Sequence, residues 1–204
     1  MGEALRRRTL HDVGTDQLPA LAFIEFSSIS RGLFLTDTVL KKAPVKVIAS
    51  QPVSSGKHVL LFVGDVASVE AAYFSALDLA EGTAVRQILI PGVHEQIAPF
   101  LDSIWTFQPK LIPANPEESL GVVESSTLAG AIVSADRALK MANVQLCRMR
   151  LGQGIGGKAY YVLMGRQEEI EAALEAAQQS LETLESFCRV DMIPRPQEEA
   201  LAYF

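Results

Sequence analysis

The chain has 204 residues, 49% hydrophobic and 21% charged, with a formal net charge of −6. That balance belongs to a folded globular protein and leaves no basic stripe with interleaved aromatics, which excludes nucleic acid as a partner. Apolar runs are broken by a charge or a glycine well before the ~18 residues a bilayer span needs, and two cysteines in an acidic chain point to a reducing cytoplasm rather than a disulfide-stapled secreted fold.

Residues 1–18 carry Arg6-Arg7-Arg8, but Thr9 to Gly14 is not the apolar core of an export signal. The stretch therefore reads as a flexible extension. Ala20 to Phe26 is an apolar run suited to a buried strand, and Ser30 to Lys42 a helix that must stop near Pro44, because proline disfavours helical geometry in the residue before it. Val45 to Ala49 and Val59 to Val63 predict strands around a turn-prone Gln51 to Gly56. Val69, Ala72, Tyr73, Ala76, Leu77 and Ala80 recur at helical spacing, Gly82 closes that helix, and Val85 to Ile90 supplies a strand ending at Pro91. The order is β-α-β-β-α-β over residues 19–101. Residues 102–118 hold Pro109, Pro113 and Pro116 and read as a linker, with Trp105 and Phe107 pinning it to a domain surface.

Residues 119–204 say the same thing again. Leu21-Ala-Phe-Ile-Glu25 returns as Leu120-Gly-Val-Val-Glu124, Asp37 as Asp136, Lys41 as Lys140 and Ala43-Pro-Val45 as Ala142-Asn-Val144, all at an offset of 99. The offset becomes 101 for Gly56-Lys57 (Gly157-Lys158) and Gly64 (Gly165), and 103 for Ile90-Pro91 (Ile193-Pro194). Register broken only by small indels at turns is the mark of a duplicated domain. Helical faces recur too, Leu128, Ala131, Ile132, Ala135 and Leu139 on one, and Ile170, Ala173, Leu174, Ala177, Leu181 and Leu184 on another. The expected class is α+β: two tandem ferredoxin-like domains, each an antiparallel sheet with helices packed on it.

Gly152-Gln-Gly154-Ile-Gly-Gly157 satisfies a dinucleotide fingerprint, and with Lys158 most of a phosphate loop. Both mechanisms need the glycines to lead into a helix whose amino end holds the phosphate, whereas Lys158 to Met164 reads as a strand, so a tight glycine hairpin is expected instead. An enzyme built on this loop predicts stabilisation by nucleotide. His11, His58 and His94 are scattered, without carboxylate or cysteine at ligand spacing, so neither a catalytic nor a metal site is expected. Glu25 and Glu124, one per copy, read as matched structural groups satisfying backbone or interface donors. Glu168, Glu169 and Glu171 are a solvated helix start favourable to the helix dipole.

Asp136-Arg-Ala-Leu-Lys140-Met-Ala-Asn-Val144, Gly154-Ile-Gly-Gly-Lys158 and Ile193-Pro-Arg-Pro196, with Asp37-Thr-Val-Leu-Lys41-Lys-Ala-Pro-Val45, Ser54-Ser-Gly-Lys57 and Gly64-Asp65, together resemble bacterial microcompartment shell proteins. The resemblance runs from about Ala20 to the end. It implies a homotrimer whose six domains form a pseudohexagonal tile, a non-catalytic facet of a shell in the bacterial cytoplasm, with other shell proteins at its edges, enclosed enzymes on one side, and no cofactor. Lys41 and Lys140 then correspond to tile-edge lysines and Arg195 to the accompanying edge arginine, which Gly92 replaces in the first copy. Ser54, Ser55, Gly56, Gly154, Ile155, Gly156 and Gly157 correspond to the loops lining a central pore, whose hydroxyls and amides suit small polar or anionic metabolites. Some tandem relatives carry a cysteine at the place of Ser54 and hold an iron–sulfur cluster; serine here implies none. The unpermuted element order implies a single-layer tile. The competing reading is a trimeric small-molecule-binding or regulatory protein of ferredoxin-like domains, which would have no use for rim lysines.

Overall fold

A computed structural model describes residues 19–101, 115, 117–152 and 154–203. The proposed extension at 1–18, and with it His11, and nearly all of the linker at 102–118, with Trp105 and Phe107, lie outside the described residues.

In the first repeat β1 (Ala20–Phe26), α1 (Ile29–Lys42), β2 (Lys46–Val53), β3 (Lys57–Gly64), α2 (Val66–Asp78) and β4 (Ala84–Ile90) are followed by a short helix α3 (Ala98–Leu101). The second runs β5 (Ser119–Ser125), α4 (Leu128–Met141), β6 (Gln145–Leu151), β7 (Ala159–Gly165), α5 (Gln167–Thr183) and β8 (Phe187–Ile193), ending in a 3-10 segment at Glu198–Tyr203. Both sheets are antiparallel, ordered β2-β3-β1-β4 and β6-β7-β5-β8. Each edge pair carries a bulge at the equivalent place, Val47/Ala49 and Leu146/Arg148. The duplication is therefore kept down to its irregularities, and the expected class and element order hold.

Local chemistry explains the boundaries. Ser28 caps α1 by accepting from the Arg31 amide, Thr127 caps α4 through the Gly130 amide, and Asp65 caps α2 through Ser68. Tight turns with Glu81 and Glu185 at positive φ follow α2 and α5. One expectation needs correction. β2 reaches Val53 where a turn was expected from Gln51, because Gln51 and Pro52 pair with Val59 and His58 on an edge strand whose outer side needs no proline N–H; the reversal itself is only Ser54–Gly56. The stretch after Pro91, for which no element was expected, forms α3.

Each sheet packs one face on its helices. In the first repeat Ala22, Ile24, Phe26, Leu60 and Phe62 meet Leu35, Val39, Val69, Ala72 and Tyr73. The opposite face, with Leu21, Phe23, Leu61 and Val63, is covered by Val93, Ile97, Phe100 and Leu101, and this core continues into the helix-side core of the second repeat. In the second repeat that opposite face is a smaller cluster of Leu120, Cys147 and Val162 under Leu201. Tyr203, the counterpart of buried Phe100, is exposed.

Candidate assembly surface and pore loops

The two glycine loops meet. The Ser54 hydroxyl donates to the Gly152 carbonyl at 3.4 Å. The longer loop is closed by Gly152 N–H to Lys158 O at 2.9 Å and Lys158 N–H to Ile155 O at 3.2 Å. Gly154, Gly156 and Gly157 take φ of 72°, 65° and 82°, a left-handed run that any other L-residue enters at roughly 1–2 kcal/mol per position. Behind each loop sits an ion pair: Lys57 Nζ to Glu25 at 2.5 Å, and Lys158 to Glu124 in the second repeat. Glu25 and Glu124 are thus matched groups, but their partners are the lysines of the Gly-Lys motifs rather than backbone donors. The Glu124 carboxylate, through its hydrogen bond and its charge, raises the Lys158 ammonium above its ordinary value.

This loop offers no phosphate site, since it feeds β7 and not a helix. No group of three or more metal-ligating side chains exists among the described residues. His58 is fully buried, with Nε2 at 3.0 Å from Ser50 Oγ. The His94 imidazole accepts from the Gln96 amide at 3.3 Å. Burial, then the nearby Glu118 charge, pushes the Cys147 thiol up to about 11, which keeps it inert.

The more informative geometry lies where the repeats touch. β4 and the loop after it rest on α4: His94 N–H donates to Asp136 Oδ1 at 2.8 Å, and Lys140 Nζ reaches the Gly92 carbonyl and Asp136 Oδ2, each at 2.6 Å. Gln96 clasps the outer edge of β6, giving its amide to Val144 O (2.9 Å) and taking the Leu146 N–H (2.7 Å) and the Gln145 side-chain amide (2.8 Å). One side-chain amide thereby stands in for a neighbouring strand. Under this cover Leu128, Ile132 and Leu139 are 2%, 0% and 5% exposed. Their counterparts on α1, Ile29, Leu33 and Leu40, are 36%, 55% and 52% exposed, and Phe34 beside them 52%. The same helix face is covered in one repeat and bare in the other.

Lys41 is exposed and among the described residues pairs only with Asp37, at 2.5 Å, whereas Lys140 is half-covered at the junction. Arg195 stands exposed between Pro194 and Pro196 with φ 47°. The structure thus brings Ser54 to the Gly152 loop, and keeps Lys41, Lys140 and Arg195 at separate surface positions. Sequence reasoning missed Gln96, His94 and Asp136 as junction residues; the signal available was that Gln96 has a charged residue, Glu199, 103 positions on.

The BMC domain family matches residues 20–93 and 119–196. The chain belongs to the bacterial microcompartment shell-protein family. It is 31% identical over 179 residues to the bacterial microcompartment shell protein PduT of Citrobacter freundii, covering 88% of this chain and 94% of that one. It is 24% identical over 192 residues to the carboxysome assembly protein CcmO of a Synechocystis strain, covering 62% of that longer protein. Among solved structures, a microcompartment protein from Desulfitobacterium hafniense superposes with a TM-score of 0.77 at 28% identity, over 89% of this shell protein and 97% of the other chain. A fused permuted hexameric shell protein of the RMM microcompartment gives 0.59 at 27% identity, over 82% and 83%. The tandem shell protein thus matches PduT over nearly its whole length in sequence, and the D. hafniense protein over nearly its whole length in fold. No helix among its described residues is long and apolar enough to cross a membrane.

Proposed function

We propose that three copies of this shell protein close head to tail into a ring of six domains, a flat tile of a microcompartment shell in the bacterial cytoplasm, whose role is structural and not catalytic. The observation that carries this reading is the bare face of α1. Within the chain the β4 end of the first repeat covers α4 of the second; the β8 end of the second repeat and α1 of the first are left as the matching free pair. A surface that fits a different surface of its twin makes a heterologous contact, which closes into a ring when the rotation permits. Ile29, Leu33, Phe34 and Leu40 form an apolar patch of the kind that marks an interface.

In such a ring the touching loops Ser54–Gly56 and Gly154–Gly157 surround the axis. Hydroxyls and backbone amides there favour small polar or anionic metabolites over cations. Lys41, Lys140 and Arg195 fall on the rim, where neighbouring tiles and other shell proteins would meet, and enclosed enzymes would lie on one face of a single layer. Sedimentation analysis with electron microscopy tests the reading. Trimers that assemble into sheets or tubes are expected, and a monomer at every concentration overturns it.

A further inference from the structure

We infer that Glu199 of one copy and Lys46 of the next form a charged clasp across the join between chains, where the join inside each chain uses the uncharged pair Gln96 and Gln145. The inference rests on the head-to-tail ring proposed above and adds to it the contact that tells one junction from the other.

The equivalence is fixed by backbone, not by sequence likeness alone. In both repeats the chain leaves the last strand through a turn with the same hydrogen bond, Ile97 N–H on His94 O and Ala200 N–H on Gln197 O, each at 2.9 Å and an offset of 103, although Arg195 stands at φ 47° where Gly92 is not at positive φ. β2 and β6 share their bulge and their pairing, Val47 to Phe62 and Leu146 to Leu163. Every group of the internal junction but one therefore has a named counterpart; the exception is the Gln96 side-chain N–H on the Val144 carbonyl, which a Glu199 carboxylate has no donor to replace. The His94 N–H on Asp136 becomes the Gln197 N–H on Asp37; Lys140 on the Gly92 carbonyl becomes Lys41 on the Arg195 carbonyl. Both contacts survive the change of residues because they use backbone groups or residues that recur.

The third contact changes character. Glu199 replaces Gln96 and Lys46 replaces Gln145. A carboxylate accepts the Val47 N–H as the Gln96 oxygen accepts that of Leu146, and its second oxygen takes the Lys46 ammonium in place of the Gln145 amide. Glu199 is exposed and Lys46 half-buried, and neither is in an ion pair within the chain among the described residues. The edge these groups guard is also the less covered one: Val45 and Val47 are half-buried, whereas Val144 and Leu146 are buried under Gln96. Two complementary charges at opposite ends of the chain and one strand edge lacking its cover select a second copy as the occupant. At this position opposite charge favours a second-repeat end beside Lys46 on a first-repeat edge over the same end beside the neutral Gln145 of β6.

Charge reversal tests this in the full chain. Glu199→Lys and Lys46→Glu each place like charges at three joins per ring, and each is expected to raise the concentration at which half the trimer dissociates by at least about tenfold, measured by sedimentation at low salt. The double variant Glu199→Lys with Lys46→Glu restores the wild-type midpoint, and 0.5 M salt narrows the gap between single variants and wild type. Reversing Glu95→Lys, on the internal turn, leaves trimers intact. A wild-type trimer unmoved by the single reversals, or singles that the double does not rescue, overturns the clasp while the ring stands. A wild type that never forms a trimer takes down the ring and the clasp with it.

Discussion

His58 is the residue whose chemistry is most tightly constrained. Its Nδ1 is buried without a partner among the described residues, while Nε2 faces Ser50 Oγ, which lies 2.7 Å from Thr36 Oγ1, which in turn donates to the Gly32 carbonyl at 2.8 Å. One consistent proton order follows: Nε2–H to Ser50, Ser50 to Thr36, Thr36 to Gly32, with the imidazole neutral. Burial lowers its pKa below the ordinary value of about 6.5. The unfolded chain therefore takes up a proton that the native state refuses, so the stability this site gives is full above pH 6.5 and falls as pH drops through the region below it. Urea midpoints should decline from pH 7.5 to 5.5, and a His58→Gln variant should flatten that slope. Gly32 belongs to the same packing: a Cβ there would sit 2.3 Å from His58 Cδ2 and 2.8 Å from His58 Cβ. Ala gains up to ~1 kcal/mol of helix propensity over Gly, but a clash with atoms near the ring's root costs roughly 1–3 kcal/mol, so Gly32→Ala should lower stability, read as a reduced urea midpoint. None of this was visible in the sequence, where Ala159 and Ala131 stand at the equivalent positions of the second repeat and no motif marks the pair.

Two helices of one ancestry show what sequence does and does not reveal about an element. The apolar periodicity of α4 and the stop before Pro44 in α1 made both legible as helices, and their Asp-x-x-x-Lys ends showed the duplication. Which face of α1 lacks a partner was not legible, since burial of Ile132 depends on β4 arriving from another part of the chain. α3 escaped for a different reason: Val93, Ile97, Phe100 and Leu101 cover the underside of a sheet at helical spacing, but only Ala98–Leu101 is helical, a single turn holding Pro99 and too short to stand out as a periodic run. The helix difference gives a paired prediction. Leu33→Glu places a charge on a surface already open to water, so the single chain should keep its stability within about 0.5 kcal/mol while the trimer is lost. Ile132→Glu places one in a fully buried site at a cost of at least about 4 kcal/mol, and should yield unfolded or aggregated protein. Circular dichroism and sedimentation on the two variants separate these outcomes; equal effects would mean that α1 is not an interface.

For the proposed tile, closing a ring and paving a sheet would be separate events and should be separable by mutation. The repeat and the family motifs made the tandem architecture readable, because glycine turns and capped strands are local; the loop contact between Ser54 and Gly152 was not, because it joins positions 98 apart in the chain. Arg195 offers the cleanest cut between the two events. Its φ of 47° is backbone that glycine enters freely, so Arg195→Gly removes a guanidinium and relaxes the turn at the same time. Pro194 and Pro196 on either side hold the turn, and the carbonyl that Lys41 of a neighbouring copy would use is kept. Thermal stability should be unchanged or slightly raised, and sedimentation should still show trimers. If Arg195 works at the rim between tiles, the same variant should give fewer and smaller sheets in electron micrographs at matched concentration. Sheets identical to wild type would restrict Arg195 to a surface charge, and loss of the trimer itself would move it from the rim between tiles to the join within one.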